Sequence, residues 1–409
     1  MIAAIANGTS RIKNYSTSAD CAATLSCLKK LGVQIERKDH EVTVHGAGPN
    51  GLRQPDGDLD CGNSGTTMRL LAGILAGQNL SATLTGDESL RSRPMQRIIE
   101  PLEMMGAQIE SADGRAPLTV RGKNPLRGIA YELSTASAQV KSCILLASLS
   151  ADGTTLVHEN QITRDHTERM LSWFAAPCAN LKGEHPKNSI SAGITGPASL
   201  RARDVFVPGD ISSAAYFIAA ATLLPNSSLE VSNVGLNPTR TAFLDELRRL
   251  GFEITAVNQI EQNNEPSGNL RVNHRSMQTA TPHVIDEASI PQLIDELPLL
   301  AVAGSQMDGG IEIRNAKELR VKESDRIAAT AQGLRAMGCE VEEFDDGLRV
   351  KGRARLRGAR IDSRGDHRIA MSFAIAGLVA EGDTEIIGAE CVAVSFPEFF
   401  DLLESVTER

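Results

Sequence analysis

The sequence has few aromatic side chains: Phe, Tyr and Trp make up 3% of its 409 residues, and only one residue is Trp. It also has no excess of positive charge, because 42 Lys and Arg stand against 51 Asp and Glu, for a formal net charge of −9. A nucleic-acid-binding protein needs cations for the phosphates and rings for unpaired bases. The composition therefore predicts that nucleic acid is not a partner.

Long apolar runs and paired cysteines are also missing. No uncharged apolar run reaches the roughly 18 residues that suggest a membrane-spanning helix, and the first residues do not form a secretory signal. The seven cysteines are scattered, with no C-x-x-C pair, so neither a disulfide framework nor a thiolate zinc site is expected. Free thiols are typical of a reducing compartment. We expect a cytoplasmic protein with no membrane partner and no metal.

A repeat organises the chain. Four segments share one ending, in which a helical pattern stops at a glycine and a strand pattern follows; the glycines are Gly32, Gly106, Gly251 and Gly338. A glycine just past the last apolar position fits a left-handed helix cap, where a Cβ would be penalised. The spacings are those of a tandem array in which a degenerate copy, near residue 178, lacks its glycine.

Each repeat also has an earlier, apolar helix after a polar turn, which gives a strand–helix–strand–helix–strand–strand unit. Leading strands are predicted near residues 59, 132, 204, 284 and 360, and the first would precede Met1. We therefore predict an α/β fold of two similar lobes, each of three repeated βαβαββ units (an inside-out α/β barrel), with the first unit incomplete at the N-terminus. The predicted N-terminal lobe covers residues 1–206 and the C-terminal lobe 207–409.

The polar turns before the buried helices are candidate anion sites, because free N–H groups and the helix dipole face them. Several carry Arg, whose fork binds carboxylate and phosphate bidentately. Taken singly, each has an ordinary structural explanation, such as a helix cap or a solvated charge run. Asp295 is more unusual, since it lies among apolar residues, which favours a catalytic role. No P-loop, dinucleotide fingerprint or nucleophile elbow is present.

Seven of these segments, taken together and in order, resemble the 5-enolpyruvylshikimate-3-phosphate synthase family. They span nearly the whole chain, at residues 62–69, 93–95, 137–142, 163–168, 295–298, 319–326 and 365–371. The Ser-Ala-Gln-Val-Lys form at 137–141 is similar to the family's second class, which includes glyphosate-tolerant members.

The resemblance implies both the fold and the reaction. Family members have two lobes of three units and bind their substrates between the lobes, at converging helix N-termini. They move the enolpyruvyl group of phosphoenolpyruvate to the 5-hydroxyl of shikimate 3-phosphate and release phosphate, on the way to chorismate and aromatic amino acids. The resemblance also implies a monomer, a glyphosate target, and no metal or organic cofactor.

The resemblance carries roles to individual positions. Asp295 resembles the base near the 5-hydroxyl, and Glu323 resembles the acid that protonates the enol methylene. The residues implied for shikimate 3-phosphate are Ser137, Ala138, Gln139, Arg164, Asp295 and Lys322. The residues implied for phosphoenolpyruvate are Gly65, Arg93, Gln139, Arg326 and Arg368. Protonation of the methylene builds positive charge on the next carbon, so a carboxylate pair among arginines suits this chemistry.

The sequence departs from the family pattern in two places. Family members carry a Pro-Gly-Asp-Lys-Ser-x-x-x-Arg segment just before the part that matches Met1, and the 409 residues contain only a related turn at 208–213. Its Lys and Ser touch both substrates, and its Arg binds shikimate. We therefore expect this chain to be the large fragment of a split or truncated enzyme that a short N-terminal peptide rescues in trans. Val394 also stands where some members have a Lys.

Two other functions stay open at this point. One is the enolpyruvyltransferase of the same fold that acts on UDP-N-acetylglucosamine; it uses a reactive loop cysteine, whereas Cys61 is predicted to end a strand. The other is a remnant that binds ligand without turnover.

Overall fold

The structure is a computed structural model that describes residues 1–176, 178–182, 190–274 and 281–407. The chain forms two compact bodies. The N-terminal body comprises Met1–Val207 with Gln262–Glu265, and the C-terminal body comprises Pro208–Glu261 with Pro266–Arg409. No helix in these described ranges is long and apolar enough to cross a membrane.

The N-terminal body contains three sheets and six α-helices in its described part. Its strands are β1 (Asn7–Lys13), β2 (Gln34–Lys38), β3 (Glu41–Ala47), β4 (Leu59–Asp60), β5 (Ser81–Thr85), β6 (Gln108–Ala112), β7 (Arg115–Arg121), β8 (Leu126–Arg127), β9 (Ala130–Glu132), β10 (Ala151–Glu159), β11 (Ala179–Lys182), β12 (Ile190–Gly196) and β13 (Val205–Phe206). Its helices are α1 (Ala19–Lys30), α2 (Gly65–Ala76), α3 (Glu88–Ser92), α4 (Gln96–Met105), α5 (Ala138–Ser148) and α6 (His166–Trp173), after a 3₁₀ turn at Ile2–Ile5. The strand orders are β13-β1-β3-β2, β4-β5-β7-β6 and β11-β12-β10-β8, with β9 also on β10.

The C-terminal body contains three further sheets in its described part. Its strands are β14 (Ser228–Gly235), β15 (Glu253–Gln262), β16 (Glu265–Asn273), β17 (His283–Val284), β18 (Ile311–Ile313), β19 (Val341–Phe344), β20 (Gly347–Val350), β21 (Arg360–Asp362) and β22 (Glu385–Ile387). Its α-helices are α7 (Ile211–Leu223), α8 (Ala242–Arg249), α9 (Ile290–Leu293), α10 (Leu297–Gln306), α11 (Arg326–Ala336), α12 (His367–Leu378) and α13 (Phe399–Val406). The strand orders are β14-β16-β15, β17-β18-β20-β19 and β21-β22.

Each body has a core of its own, to which the largely apolar helices α2, α5 and α12 contribute most of their residues. In the N-terminal body, α2 packs on α5 so closely that a Cβ at Gly73 would lie 2.2 Å from the carbonyl oxygen of Cys143. In the C-terminal body, a Cβ at Gly333 of α11 would lie 2.1 Å from the ring of Phe373 on α12. The starts of these helices are fixed by this packing, which places the polar turns that precede them.

Several local predictions are confirmed. The four repeat glycines adopt left-handed backbone, with φ between +85° and +109°, as helix caps of this kind require. The five predicted leading strands coincide with β4, β9, β13, β17 and β21. The polar sequence at 258–269 predicts a loop or hairpin insertion, and the stretch lies in the hairpin of β15 and β16. The arrangement of six repeats in two lobes stays a prediction.

Two predictions need correction. The chain has the predicted mixture of helices and strands, but the six sheets of the described residues are separate, with open ends, and none closes into a barrel. Strands of two to ten residues paired in such small groups leave unpaired edges, so closure does not occur. In the second repeat, the sequence also predicts Pro94 in the first turn of the helix, but the proline lies outside it: α4 begins at Gln96, and Met95 is its N-cap residue.

Candidate active site

The turn before α2 gathers the first group of predicted residues in the N-terminal body. Ser64 caps the helix, because its hydroxyl accepts a hydrogen bond from the Thr67 N–H. The buried Arg93 reaches this turn and donates from Nη2 to Asn63 Oδ1 at 2.6 Å. A Cβ at Gly65 would lie 3.3 Å from Arg93 Nη1, so the glycine and the guanidinium are neighbours. The structure thus brings two predicted phosphoenolpyruvate residues together.

Gln139, predicted for both substrates, joins the same group from α5. Its carboxamide oxygen accepts a hydrogen bond from Arg69 Nη1, and its Nε2 donates to Thr66 Oγ1 at 2.8 Å. Arg69 was missing from the predicted site, although it lies in one of the recognised motifs. A Cβ at Gly65 would lie 3.0 Å from Arg69 Nη1, so two guanidinium groups flank this glycine. A bidentate anion could bind here to both arginines.

The start of α5 holds the other predicted residues of this body. Ser137 is the N-cap residue, and its hydroxyl accepts a hydrogen bond from the Val140 N–H at 3.4 Å. Ala138 is the first helical residue, so the turn presents backbone N–H groups at the positive end of the helix dipole. Arg164 is half-buried in the segment between β10 and α6. These features suit a phosphate group.

In the C-terminal body, one buried arginine binds both predicted catalytic carboxylates. Arg326 is the first residue of α11 and is 1% exposed. Its Nη1 lies 3.3 Å from Asp295 Oδ1, and its Nη2 donates to Glu323 Oε2 at 2.5 Å. Burial by itself lowers the pKa of Arg326, but the surrounding carboxylates outweigh it and the pKa is raised. The cation therefore stays charged and holds Asp295 and Glu323 on one guanidinium.

Asp366 anchors this arginine from the turn before α12. Its carboxylate accepts from Arg326 Nε at 2.8 Å and from the Arg368 N–H at 2.9 Å. The same residue caps the helix. Arg368 lies in the first turn of α12, with Nη1 3.6 Å from Glu296 Oε1. Burial by itself lowers the pKa of Arg368, but Tyr216 and nearby carboxylates, Glu296 among them, outweigh it and the net shift is upward.

Arg240, which the sequence analysis did not single out, completes this cluster together with Ser212, which lies in the related turn at 208–213. Arg240 Nη1 lies 3.7 Å from both Asp295 Oδ2 and Glu296 Oε1. Its Nη2 donates at 2.5 Å to the hydroxyl of Ser212, which itself donates to Glu296. The Pro-Gly-Asp turn at 208–210 is a signal for Ser212, whereas no motif in the sequence indicates Arg240.

Lys322, predicted to contact shikimate 3-phosphate, is half-buried beside this cluster. Desolvation is the main cause of a lowered pKa at its ammonium group, and the positive charge of Arg326 adds to it. An anionic ligand would favour the charged form of this ammonium group, so the group suits an anion. Within the described residues, the C-terminal body thus brings together Asp295, Lys322, Glu323, Arg326 and Arg368.

Cys61 does not have the features of a reactive loop cysteine. It follows β4 and is fully buried. Its hydrogen bond with Cys27 and its burial raise the pKa of the thiol, whereas reactive thiols have lowered values. This disfavours the alternative function that needs such a cysteine.

Comparison with known proteins identifies the family. The family model described as EPSP synthase (3-phosphoshikimate 1-carboxyvinyltransferase) matches residues 1–403. A 3-phosphoshikimate 1-carboxyvinyltransferase of Koribacter versatilis is 51% identical over 409 residues, 100% of this chain and 93% of the relative. One of a Roseiflexus species is 50% identical over 418 residues, with the same coverage. A solved EPSP synthase structure from Acinetobacter baumannii is 41% identical, with a TM-score of 0.85, over 99% of this chain and 92% of that one. The chain belongs to the EPSP synthase family.

Proposed function

We propose that the residues gathered in the two bodies carry out the 3-phosphoshikimate 1-carboxyvinyltransferase reaction. The chain is an enzyme that transfers the enolpyruvyl group of phosphoenolpyruvate to shikimate 3-phosphate. It belongs to the shikimate pathway of aromatic amino acid synthesis. The observation that carries the assignment of roles is the Arg326 guanidinium, which holds Asp295 and Glu323 together.

The proposed reaction has two steps. Glu323 gives a proton to the methylene carbon of phosphoenolpyruvate, while Asp295 takes the proton of the 5-hydroxyl, whose oxygen bonds to the neighbouring carbon. Phosphate then leaves as the ionised Glu323 takes a proton back from the new methyl group, which restores the double bond and the protonated form of Glu323. Positive charge develops on the attacked carbon, and carboxylates already fixed by Arg326 stabilise it without reorganisation.

We assign the binding residues by their positions in the motifs that this chain shares with the family. For phosphoenolpyruvate, the assigned residues are Gly65, Arg93, Gln139, Arg326 and Arg368. For shikimate 3-phosphate, they are Ser137, Ala138, Gln139, Arg164, Asp295 and Lys322. Arg93, Arg326 and Arg368 are buried, at 1% to 8% exposure, and they support binding of anionic small molecules because a guanidinium fork binds carboxylate and phosphate bidentately. Arg69 joins the phosphoenolpyruvate group on its position beside Gly65.

Finer points of the proposal rest on single observations. The sequence at 137–141 supports placement in the second class of the family. The division at residues 207 and 208 into two compact bodies supports lobes of three repeats each. Free cysteines throughout support a reducing, cytoplasmic location. A monomeric state is the family default and is testable by light scattering.

The supply of an additional strand in trans also belongs to the proposal. In four other sheets, the strand that follows the buried helix of the repeat pairs in parallel with the strand before that helix: β5 with β4, β10 with β9, β18 with β17 and β22 with β21. In the described residues, β14 has only a one-residue parallel bridge there, between Gly209 and Val234. Such an edge suits addition of a strand from a separate peptide.

Two assays test these proposals. The first follows phosphate release from phosphoenolpyruvate with shikimate 3-phosphate, and with the nucleotide sugar as the alternative acceptor. We expect turnover when shikimate 3-phosphate is the acceptor and none when the nucleotide sugar is the acceptor. The opposite result would overturn the assignment. The second repeats the assay with a synthetic peptide that contains Pro-Gly-Asp-Lys-Ser-x-x-x-Arg. Full activity of the chain without the peptide would refute the proposal that a strand is supplied in trans.

A further inference from the structure

The N-terminal body buries a lysine between two carboxylates, outside the residues assigned to substrates. Lys141 lies in α5, Glu159 ends β10 and Glu168 lies in the first turn of α6. The Lys141 side chain is 1% exposed and the two carboxylates 3% each. Lys141 Nζ lies 2.9 Å from Glu159 Oε1 and 2.7 Å from Glu168 Oε1. We name these three residues the Lys141 triad.

The triad holds one more carboxyl group than its single cation can neutralise. Burial alone lowers the pKa of Lys141, but the carboxylates of Glu168 and Glu159 outweigh it, and the net pKa is raised. Burial raises the pKa of Glu168, against the opposing effect of Lys141. In the described structure, Glu168 Oε2 is buried without a hydrogen-bond partner. Buried ion clusters add little net stability compared with apolar packing, so a role in holding other groups is a better explanation.

The triad connects the two segments that carry the assigned shikimate-phosphate residues. Lys141 lies one turn after Ser137, whose carbonyl accepts from the Lys141 N–H at 3.1 Å. On the other side, Thr163 donates from its hydroxyl to Glu159 Oε2 at 2.6 Å, and Arg164 is the next residue. The helix start and the Arg164 segment are therefore joined through a continuous set of buried polar contacts.

A second contact keeps α5 and α6 in register beside the triad. The hydroxyls of Ser142 and Thr167 lie 2.6 Å apart, one residue beyond Lys141 and one before Glu168. Because both contacts join the same helix starts, they define the separation of these starts more narrowly than packing alone.

We propose that the Lys141 triad is a positioning device for shikimate 3-phosphate, which sets the distance between the turn at 137–139 and Arg164. This inference rests on the proposed assignment of that turn and of Arg164 to the same ligand. A ligand bound by groups from two segments loses affinity when the segments shift, and a displacement of about 1 Å can cost roughly 100-fold in rate.

Removal of the ammonium group of Lys141 should therefore weaken the binding of one substrate more than the binding of the other. In Lys141→Met, two carboxylates face each other without a cation, and α5 separates from the Arg164 segment. We expect the KM for shikimate 3-phosphate to rise roughly tenfold. The KM for phosphoenolpyruvate should change less, because Gln139 is held separately by Arg69 and Thr66.

Two further variants separate positioning from folding. Glu168→Gln keeps an acceptor for Lys141 and leaves a neutral Lys141–Glu159 pair, so it should retain a KM close to that of the parent chain. Thr163→Val leaves the ions in place and removes only the hydroxyl bound to Glu159, so the KM for shikimate 3-phosphate should rise a few-fold even if Lys141→Met does not fold. Lys351→Met is the matched control, since Lys351 forms an exposed pair with Glu340 at 2.7 Å.

The experiment measures kcat and both KM values, with thermal unfolding of each variant. Arg164→Ala tests the assignment on which the inference rests, and an unchanged KM for shikimate 3-phosphate would refute that assignment. If Arg164→Ala raises this KM while Lys141→Met and Thr163→Val leave it unchanged, the triad has no positioning role and the assignment stands. Equal rises in both KM values with a lowered Tm would also overturn the inference, because they would show only a structural defect.

Discussion

Arg326 and Asp366 form a fully buried ion pair in which both carboxylate oxygens accept from one guanidinium, at 2.8 Å from Nε and 3.2 Å from Nη2. The remaining guanidinium hydrogens face Asp295 and Glu323. One planar group thus fixes the two carboxylates that we assign to proton transfer. Lysine has one charged nitrogen and cannot span the same three partners.

Arg326→Lys should therefore lower kcat/KM by about 100-fold, with kcat taking most of the loss. Steady-state kinetics with both substrates measures this. Arg349→Lys is the control, because Arg349 also binds two carboxylates, those of Glu312 and Glu342, but at an exposed position. Similar losses of kcat/KM in Arg326→Lys and Arg349→Lys would show that the geometry of Arg326 is not used in catalysis.

Asn63 orients Arg93 at the turn before α2. It accepts from Arg93 Nη2 at 2.6 Å and donates from Nδ2 to Asp87 Oδ2 at 2.6 Å. Asn63→Ala removes this support, so the KM for phosphoenolpyruvate should rise about tenfold with a smaller change for shikimate 3-phosphate. Asn124→Ala removes an exposed side-chain hydrogen bond to Asn50 and serves as the control. A larger effect on shikimate 3-phosphate than on phosphoenolpyruvate would contradict the assignment of Arg93.

His367 should make stability depend on pH below neutrality. Burial, with the positive charges of Arg368 and Arg326, lowers the pKa of His367 from 6.5 to about 4, although Asp366 opposes the shift. Above pH 6.5 the ring is neutral in both the folded and the unfolded chain and there is no penalty. As pH falls from 6.5 towards 4 only the unfolded chain binds the proton, so the free energy of unfolding decreases, by up to about 3 kcal/mol.

Urea unfolding across this pH range tests the effect. Carboxyl groups also titrate there, so the informative quantity is the difference between the parent chain and His367→Gln. That difference should grow as pH falls, in favour of the glutamine variant. A constant difference would show that the histidine titrates alike in both states.

The contact of Gly333 with Phe373 should make the C-terminal body sensitive to a single methyl group. A Cβ at Gly333 would lie 2.1 Å from a rigid ring, so the two helices must separate or the ring must move. Gly333→Ala should lower the free energy of unfolding by about 1–3 kcal/mol, despite the better helix propensity of Ala. Gln332→Ala, at the exposed neighbouring position, should change it by less than about 0.5 kcal/mol. A stabilised Gly333→Ala would show that α11 and α12 are packed less closely.

Much of the local structure was predictable because its causes are local. Ser64, Ser137 and Asp366 cap helices through hydrogen bonds to residues two or three positions later. The glycines of the repeat follow from backbone sterics in the same way. Such features depend on neighbours in the chain, which the sequence displays directly.

Pairings between distant residues could not be predicted from single motifs. Gln139 contacts Arg69, 70 residues away, and Ser212 contacts Glu296, 84 residues away. Nothing near either residue indicates its partner. The same holds for the triad, because nothing near Lys141 in the sequence indicates that it is buried or that Glu159 and Glu168 are its partners. The prediction of a closed barrel was wrong for a related reason, because tertiary packing decides which strands pair at the sheet edges.

The central claim is tested most directly by incubating the purified chain with phosphoenolpyruvate and shikimate 3-phosphate and measuring released phosphate together with the enolpyruvyl product. The assay is run with and without the cationic peptide, and with Arg326→Met as the inactive reference. We predict equal amounts of phosphate and product, stimulation by the peptide, and loss of both products in the variant. Absence of the enolpyruvyl product with the parent chain in both conditions would contradict the account.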